Sequence, residues 1–202
     1  MSITVAAGRP APPRLVTERL ILRAHEAADL AACAELWSDP VVTASIGGQA
    51  FSPDAIWQRI LRYAGLWQIL GYGYWAITDR ADGRFIGEAG LADFRRDMSP
   101  PLGSVPEAGW ALHSSVHKRG LALEAMQAIL GWADTSLGAA QTCCIISPAN
   151  TASITLASRL GYLASHDSAL GGHEVTVYHR PSAAMAAAER AADTKRAAPA
   201  DQ

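Results

Sequence analysis

A chain of 202 residues, half of them hydrophobic and 18% charged, is long enough to bury the core of one globular domain with tails. Its formal net charge of −2 excludes bulk attraction to nucleic acid or to an anionic membrane surface, so any anion site must be local. The three cysteines (Cys33 and the adjacent Cys143 and Cys144) make neither a disulfide framework nor a CxxC pair, and no apolar run approaches the roughly 20 residues of a membrane span. No leader with a basic segment before an apolar core is visible, and the expected setting is a reducing cytoplasm.

Residues 1–13 hold Gly8, Pro10, Pro12 and Pro13 and are expected to form a flexible lead-in to a domain over 14–181. The segment 15–23 reads as a strand with Leu20 and Leu22 on one face. Leu30, Cys33, Ala34 and Trp37 recur at helical spacing until Asp39-Pro40 ends the pattern. Ser52-Pro53-Asp54 predicts a helix start: a capping hydroxyl, proline at the first position and an acid facing the dipole. Ile56, Ile60, Tyr63 and Trp67 form its stripe, and Gly71 and Gly73 break it. Strands over 72–78 and 85–94 flank a hairpin turn at Ala81-Asp82-Gly83. A proline-rich loop over 98–106 leads to another strand over 107–113.

After that strand, Ala122, Ala125, Met126, Ile129 and Ala133 make a helical stripe that Gly138 ends. Residues 142–147 suit a short buried strand, 150–160 a helix, and Val175 and Val177 alternate with polar neighbours in a last strand. The tail 182–202 is alanine-rich without a wide apolar face, so a frayed helix or disorder is expected there. The resulting order, β-α-α-β-β-β-α-β-α-β, describes an α/β (α+β) domain with a mixed sheet and helices on its faces.

Chemistry concentrates at His117-Lys118-Arg119-Gly120-Leu121-Ala122, where a strand runs into a turn and then a helix. Several backbone N–H groups converge at such a turn, glycine permits close approach, and the helix terminus adds a field of about 0.3–2 kcal/mol. The residues alone leave a phosphate site and an ordinary turn with exposed bases both open. A second segment, Pro148-Ala149-Asn150-Thr151-Ala152-Ser153-Ile154, begins a helix that closes at Leu160-Gly161-Tyr162. The six histidines show no HExxH-type spacing, so no metal is expected.

The ordered set of 15–23, 107–125 and 148–162 resembles the GCN5-related N-acetyltransferase (GNAT) superfamily, with closer likeness to its ribosomal-protein N-terminal acetyltransferase branch. The resemblance implies a mostly antiparallel sheet with a splay between its two central parallel strands. It implies acetyl-CoA as co-substrate, with its pyrophosphate on the N–H groups of Lys118, Arg119, Gly120, Leu121 and Ala122 behind His117. The pantetheine arm would pair with main-chain groups near Ala111 and Leu112 and with Asn150. His117 stands where the family usually has Gln, Arg or an aromatic residue, and Lys118 where glycine is common.

The resemblance further implies Glu107 as the base, with Glu88 as competitor and Glu124 supporting the helix end. The usual tyrosine proton donor is replaced by Ala157, which leaves Ser153 or a purely structural Ser153. Trp57, Trp67, Tyr72, Tyr74 and Trp75 fall in the acceptor region, where core packing explains them equally well. The expected acceptor is a primary amine, of a protein N-terminus or a small molecule. Deprotonating an α-ammonium at pH 7 costs roughly 1 kcal/mol, and a lysine about 4–5 kcal/mol. The rivals are acetylation of an antibiotic or metabolite amine and a non-catalytic CoA-binding module. Nucleic-acid and membrane partners are not expected, and either a monomer or a homodimer is.

Overall fold

The computed structural model describes residues 11–44 and 50–197; most of the expected lead-in and the end of the expected tail lie outside them. In chain order the elements are β1 (Leu15–Val16), β2 (Leu20–Arg23), α1 (Leu30–Ser38), α2 (Pro40–Thr43), α3 (Pro53–Leu70), β3 (Tyr74–Asp79) and β4 (Phe85–Ala92). There follow β5 (Glu107–Leu112), α4 (Leu121–Ser136), β6 (Gln141–Ile146), α5 (Thr151–Arg159), β7 (Leu163–Leu170), β8 (His173–Pro181) and α6 (Ala183–Ala197). Hydrogen-bonded strand order is β1-β2-β3-β4-β5-β6-β8-β7. The pairs β1–β2, β2–β3, β3–β4, β6–β8 and β7–β8 are antiparallel, whereas β5 and β6 run parallel with Glu107 opposite Cys143. This is the mixed sheet expected from the element order, mostly antiparallel as the resemblance implies, and no helix among the described residues is long and apolar enough to cross a membrane.

The chain clusters into two compact units. The first takes residues up to Ala92 and Gly109–Ile129. Here Ser52 caps α3 by accepting the Ala55 N–H, and Gly71 closes the helix. Leu20, Leu22, Trp75, Ile77, Ile86 and Leu91 are fully buried, and Cys33, Leu36, Trp37, Val42, Ile56 and Ile60 form one apolar cluster against which Phe51, Phe85 and Ala111 pack. The first turns of α4 bury Ala125, Met126 and Ile129 of the stripe read from the sequence, with Leu121 buried beside them and Ala122 only half-buried.

The second unit takes Asp93–Ala108 and everything from Leu130. Its apolar cluster is Met98, Cys143, Val175 and Val177. Arg180 closes a bidentate pair with Asp134 (3.0 and 2.7 Å). Helix α6 begins where Ser182 accepts the Ala186 N–H at its carbonyl (2.9 Å).

Two expectations about elements are corrected. Residues 15–23 form not one strand but the hairpin β1–β2, because Thr17 turns the chain: its N–H donates to the Leu20 carbonyl (3.0 Å) and its Oγ1 accepts the Leu20 N–H (3.0 Å). Asp39-Pro40 ends α1 as expected, and the Asp39 carboxylate also accepts the Val41 N–H (2.9 Å) and caps a short further helix, α2. Strand β7 was not expected at all, since Leu-Ala-Ser-His-Asp-Ser-Ala-Leu shows no apolar alternation. It is formed by its ladder with β8, an override of local preference by a partner strand.

Candidate active site

The turn from β5 into α4 lies within the first unit. His113 N–H donates to the Ile86 carbonyl (2.9 Å), which ties the end of β5 to β4. The His117 ring reaches back to the Leu112 carbonyl (2.8 Å). A carbonyl only accepts, so Nε2 carries the proton there. Lys118 and Gly120 both take left-handed backbone angles, φ 59° and 77°. For Lys118 that conformation costs about 1–2 kcal/mol, which explains why glycine suits this position.

Two residues outside the predicted site hold this turn. Glu124, one turn into α4, accepts the Thr17 hydroxyl (2.6 Å), the Arg19 N–H (2.8 Å) and Arg19 Nε (2.7 Å). Arg19 Nη1 donates to the Arg119 carbonyl (2.9 Å). Burial pushes Glu124 up, but these donors together hold it below the usual carboxylate value. The Arg119 carbonyl is thereby engaged from the side, while the N–H groups of Lys118 through Leu123 donate to no acceptor among the described residues. Their only sequence signal was Glu124 in the first helical turn; Arg19 lies too far along the chain to be linked to it by pattern.

Upstream of the turn, Asp39 accepts the Ser114 N–H (3.0 Å) and the Val41 N–H (2.9 Å). Although burial opposes it, the bonds from Ser114 and Val41, with His113 nearby, lower Asp39 to about 2. Asp39, Glu35, Val41, His113 and Ser114 line a depression of about 580 Å³.

The competing acid, Glu88 of β4, is fully buried. Its Oε1 accepts the Tyr63 hydroxyl (2.5 Å), and Arg59 Nη1 lies 3.6 Å away. Arg59 also donates to the Tyr63 oxygen (2.8 Å) and stacks over the Trp37 ring at 4.0 Å. Burial raises Glu88, but His25, Arg59 and Tyr63 more than offset it and hold its carboxyl low. Tyr63 stacks in turn on Tyr74, ring centroids 4.5 Å apart, and its own hydroxyl is pushed well up by burial and by Glu88. Of the aromatic set, Trp67, Tyr72, Tyr74 and Trp75 are buried, with Trp67 edge-on to Trp75 at 4.6 Å. Trp57 alone of these is exposed.

Three predicted residues belong to the second unit. Glu107 is buried and held by Arg96 in a two-point pair (2.5 and 2.7 Å), which fixes the orientation of both carboxylate oxygens. Asn150 caps α5: its Oδ1 accepts the Ser153 N–H (3.0 Å), leaving its amide NH2 without a protein partner among the described residues. Ser153 therefore sits in the first turn of α5 with half-buried surroundings. Ala157, at the position of the usual tyrosine, is fully buried. Tyr162 packs inside, sharing a hydrogen bond of 2.8 Å with the Thr142 hydroxyl. Ala111, Leu112, His117, Lys118, Arg119, Gly120, Leu121 and Ala122 thus form one continuous strand–turn–helix segment, while Glu107, Asn150 and Ser153 are placed by other contacts.

A family model described as an acetyltransferase (GNAT) domain matches residues 19–163. Among solved structures, the chain is similar to a GnaT-family acetyltransferase from Bordetella pertussis. The match has a TM-score of 0.73 and 31% identity over 84% of this chain and 99% of that one. It is also similar to a ribosomal-protein-S5-alanine acetyltransferase from Vibrio fischeri (TM-score 0.66, 14% identity, 85% and 98% covered). A third is the spermidine N-acetyltransferase from Vibrio cholerae in complex with CoA and spermine (TM-score 0.65, 15% identity, 82% and 97% covered). At the last two identities the likeness is one of fold.

Proposed function

Because this chain belongs to the GNAT acetyltransferase family and is an N-acetyltransferase, we propose that it moves the acetyl group of acetyl-CoA to a primary amine by direct attack. The observation that carries the reading is the run of N–H groups from Lys118 to Leu123, without an acceptor among the described residues, at the mouth of a 16-residue helix. An anion completes such a run, and the two left-handed residues aim its amides outward. Lys118, Arg119, Gly120, Leu121 and Ala122 hold the pyrophosphate, with His117 clamping the turn to β5 through the Leu112 carbonyl. Main-chain groups of Ala111 and Leu112 and the amide NH2 of Asn150 take the pantetheine arm.

In the transfer, the neutral amine nitrogen forms a bond to the thioester carbonyl carbon and the C–S bond breaks. The amine gives up a proton to Glu107, directly or through water, and the CoA thiolate takes one from Ser153, whose hydroxyl is reprotonated from solvent as Glu107 returns its proton there. Arg96 keeps the Glu107 oxygens oriented for that role. Glu88 is the less suited acid, because it is fully buried in the core beneath Tyr63, Arg59 and His25. The acceptor is a protein N-terminus, as the ribosomal-protein branch suggests, or a small amine such as the polyamine of the Vibrio cholerae structure.

Thiol release from acetyl-CoA, measured against peptides with free N-termini, polyamines and aminoglycosides, tests the proposal and separates the acceptor classes. Release is expected with at least one primary amine. Glu107→Gln should lower kcat by about 100-fold while leaving the KM for acetyl-CoA nearly unchanged. Thermal stabilisation by CoA without thiol release from any amine would instead favour a non-catalytic CoA-binding module.

A further inference from the structure

The first unit contains a buried donor cluster that the transfer reaction leaves unused. His25 follows β2, Cys33 lies in α1 and Glu88 in β4. An imidazole nitrogen, the Cys33 Sγ and a Glu88 oxygen lie within 4.8 Å of one another. The side chains of His25 and Glu88 are each 1% exposed, and Cys33 is buried as deeply. Both ring nitrogens of His25 and Oε2 of Glu88 lack a hydrogen-bond partner among the described residues. His25 Nε2 and Glu88 Oε2 approach only to 3.6 Å, too far for a hydrogen bond. A buried polar atom left in that state costs about 1–3 kcal/mol, and because the two imidazole nitrogens point out of opposite sides of the ring, one of them together with Glu88 Oε2 calls for a missing partner at this point.

We propose that His25, Cys33 and Glu88 form a binding site for a divalent d-block cation of the zinc type. A neutral imidazole, a thiolate and a carboxylate oxygen are the ligand types that zinc prefers, and a cation completes all three at once. Ligand atoms at zinc distances of about 2.0–2.3 Å stand roughly 3.3–3.7 Å apart in a tetrahedron, so the cluster closes by about 1 Å on binding. Binding exchanges the thiol proton for the metal: the S–H bond breaks, an S–metal bond forms and one proton leaves to solvent. The thiolate and carboxylate then neutralise the ion. Tyr63 and Arg59 engage the other Glu88 oxygen at 2.5 and 3.6 Å, which turns Oε2 toward the cluster as an outer-shell orienting contact. Local spacing hid the site, because its ligands come from three separate elements.

The inference stands apart from the transfer reaction, so its test reads metal rather than activity. The full-length protein, stripped with chelator and dialysed, is titrated with Co2+. One equivalent should bind with the thiolate-to-cobalt charge-transfer band and the strong visible bands of a four-coordinate ion, and Zn2+ should displace it. Cys33→Ala should abolish the charge-transfer band, and His25→Ala should weaken binding by at least about tenfold. A band that persists in Cys33→Ala, or no stoichiometric binding to the wild type, overturns the proposal. Should either variant fail to fold, X-ray absorption on the zinc-loaded wild type decides: one sulfur neighbour supports the site and none refutes it. A water molecule completing the cluster would give no cobalt signal at all.

Discussion

Gly120→Asp is expected to weaken CoA binding by about 10- to 100-fold, measured by calorimetry, with little loss of folding stability. A Cβ at Gly120 would meet only Arg19 Nη2, at an ordinary 3.6 Å, so the substitution does not collide with the fold. Its φ of 77° is left-handed, a conformation that Asp and Asn tolerate better than other residues with side chains. What changes is the charge. A carboxylate about 5 Å from a diphosphate, at an effective dielectric near 20, opposes it by about 3 kcal/mol per charge pair before screening. Gly120→Asn has nearly the same shape without the charge and should lose less than tenfold. Equal losses for the two variants would assign the effect to backbone strain, and unchanged affinity in both would remove the phosphate from this turn.

Gly109→Ala should lower the melting temperature by about 5–10 °C, corresponding to about 2–3 kcal/mol of overpacking. Gly109 of β5 is crossed by the Tyr74 hydroxyl so closely that any Cβ there overlaps the oxygen. Tyr74 has nowhere to retreat, since its other side stacks on Tyr63 at 4.5 Å and Tyr63 is fully buried. Moving Tyr63 would loosen its bond to Glu88 and the Arg59 contact behind it. Adding Tyr74→Phe removes the clashing oxygen and should recover part of the loss, leaving the ring carbon at 3.2 Å as the residual strain. A Gly109→Ala protein that melts within 1 °C of the wild type would show that the Tyr74–Gly109 approach is not fixed.

Where the fold was legible in the sequence, one residue carried the local decision. Ser52-Pro53 starts α3, Gly71 closes it, and Gly120 marks the turn into α4. The order of elements around the central β5 follows from those markers and from apolar periodicity. What escaped was set by partners distant in sequence. Strand β7 exists through its ladder with β8, not through its own residues. Thr17 and Arg19 reach Glu124 across more than 100 residues, and neither end advertises the other. The same holds for the acids. Glu107 is the expected base and Glu88 its competitor, yet one is pinned by Arg96 from the segment between β4 and β5 and the other is sealed under Tyr63, Arg59 and His25. No spacing rule reports such pairings, because each partner is brought by a different segment.

The backbone amides of the β5–α4 turn can be watched directly. In an amide NMR titration of the 15N-labelled protein, CoA should shift the N–H resonances of Lys118, Arg119, Gly120, Leu121 and Ala122 strongly downfield, as anion-bound amides do, while pantetheine, which lacks the pyrophosphate, should leave them in place. Equal shifts from both ligands, or CoA shifts confined to other segments, would contradict the placement of the phosphate and the account built on it.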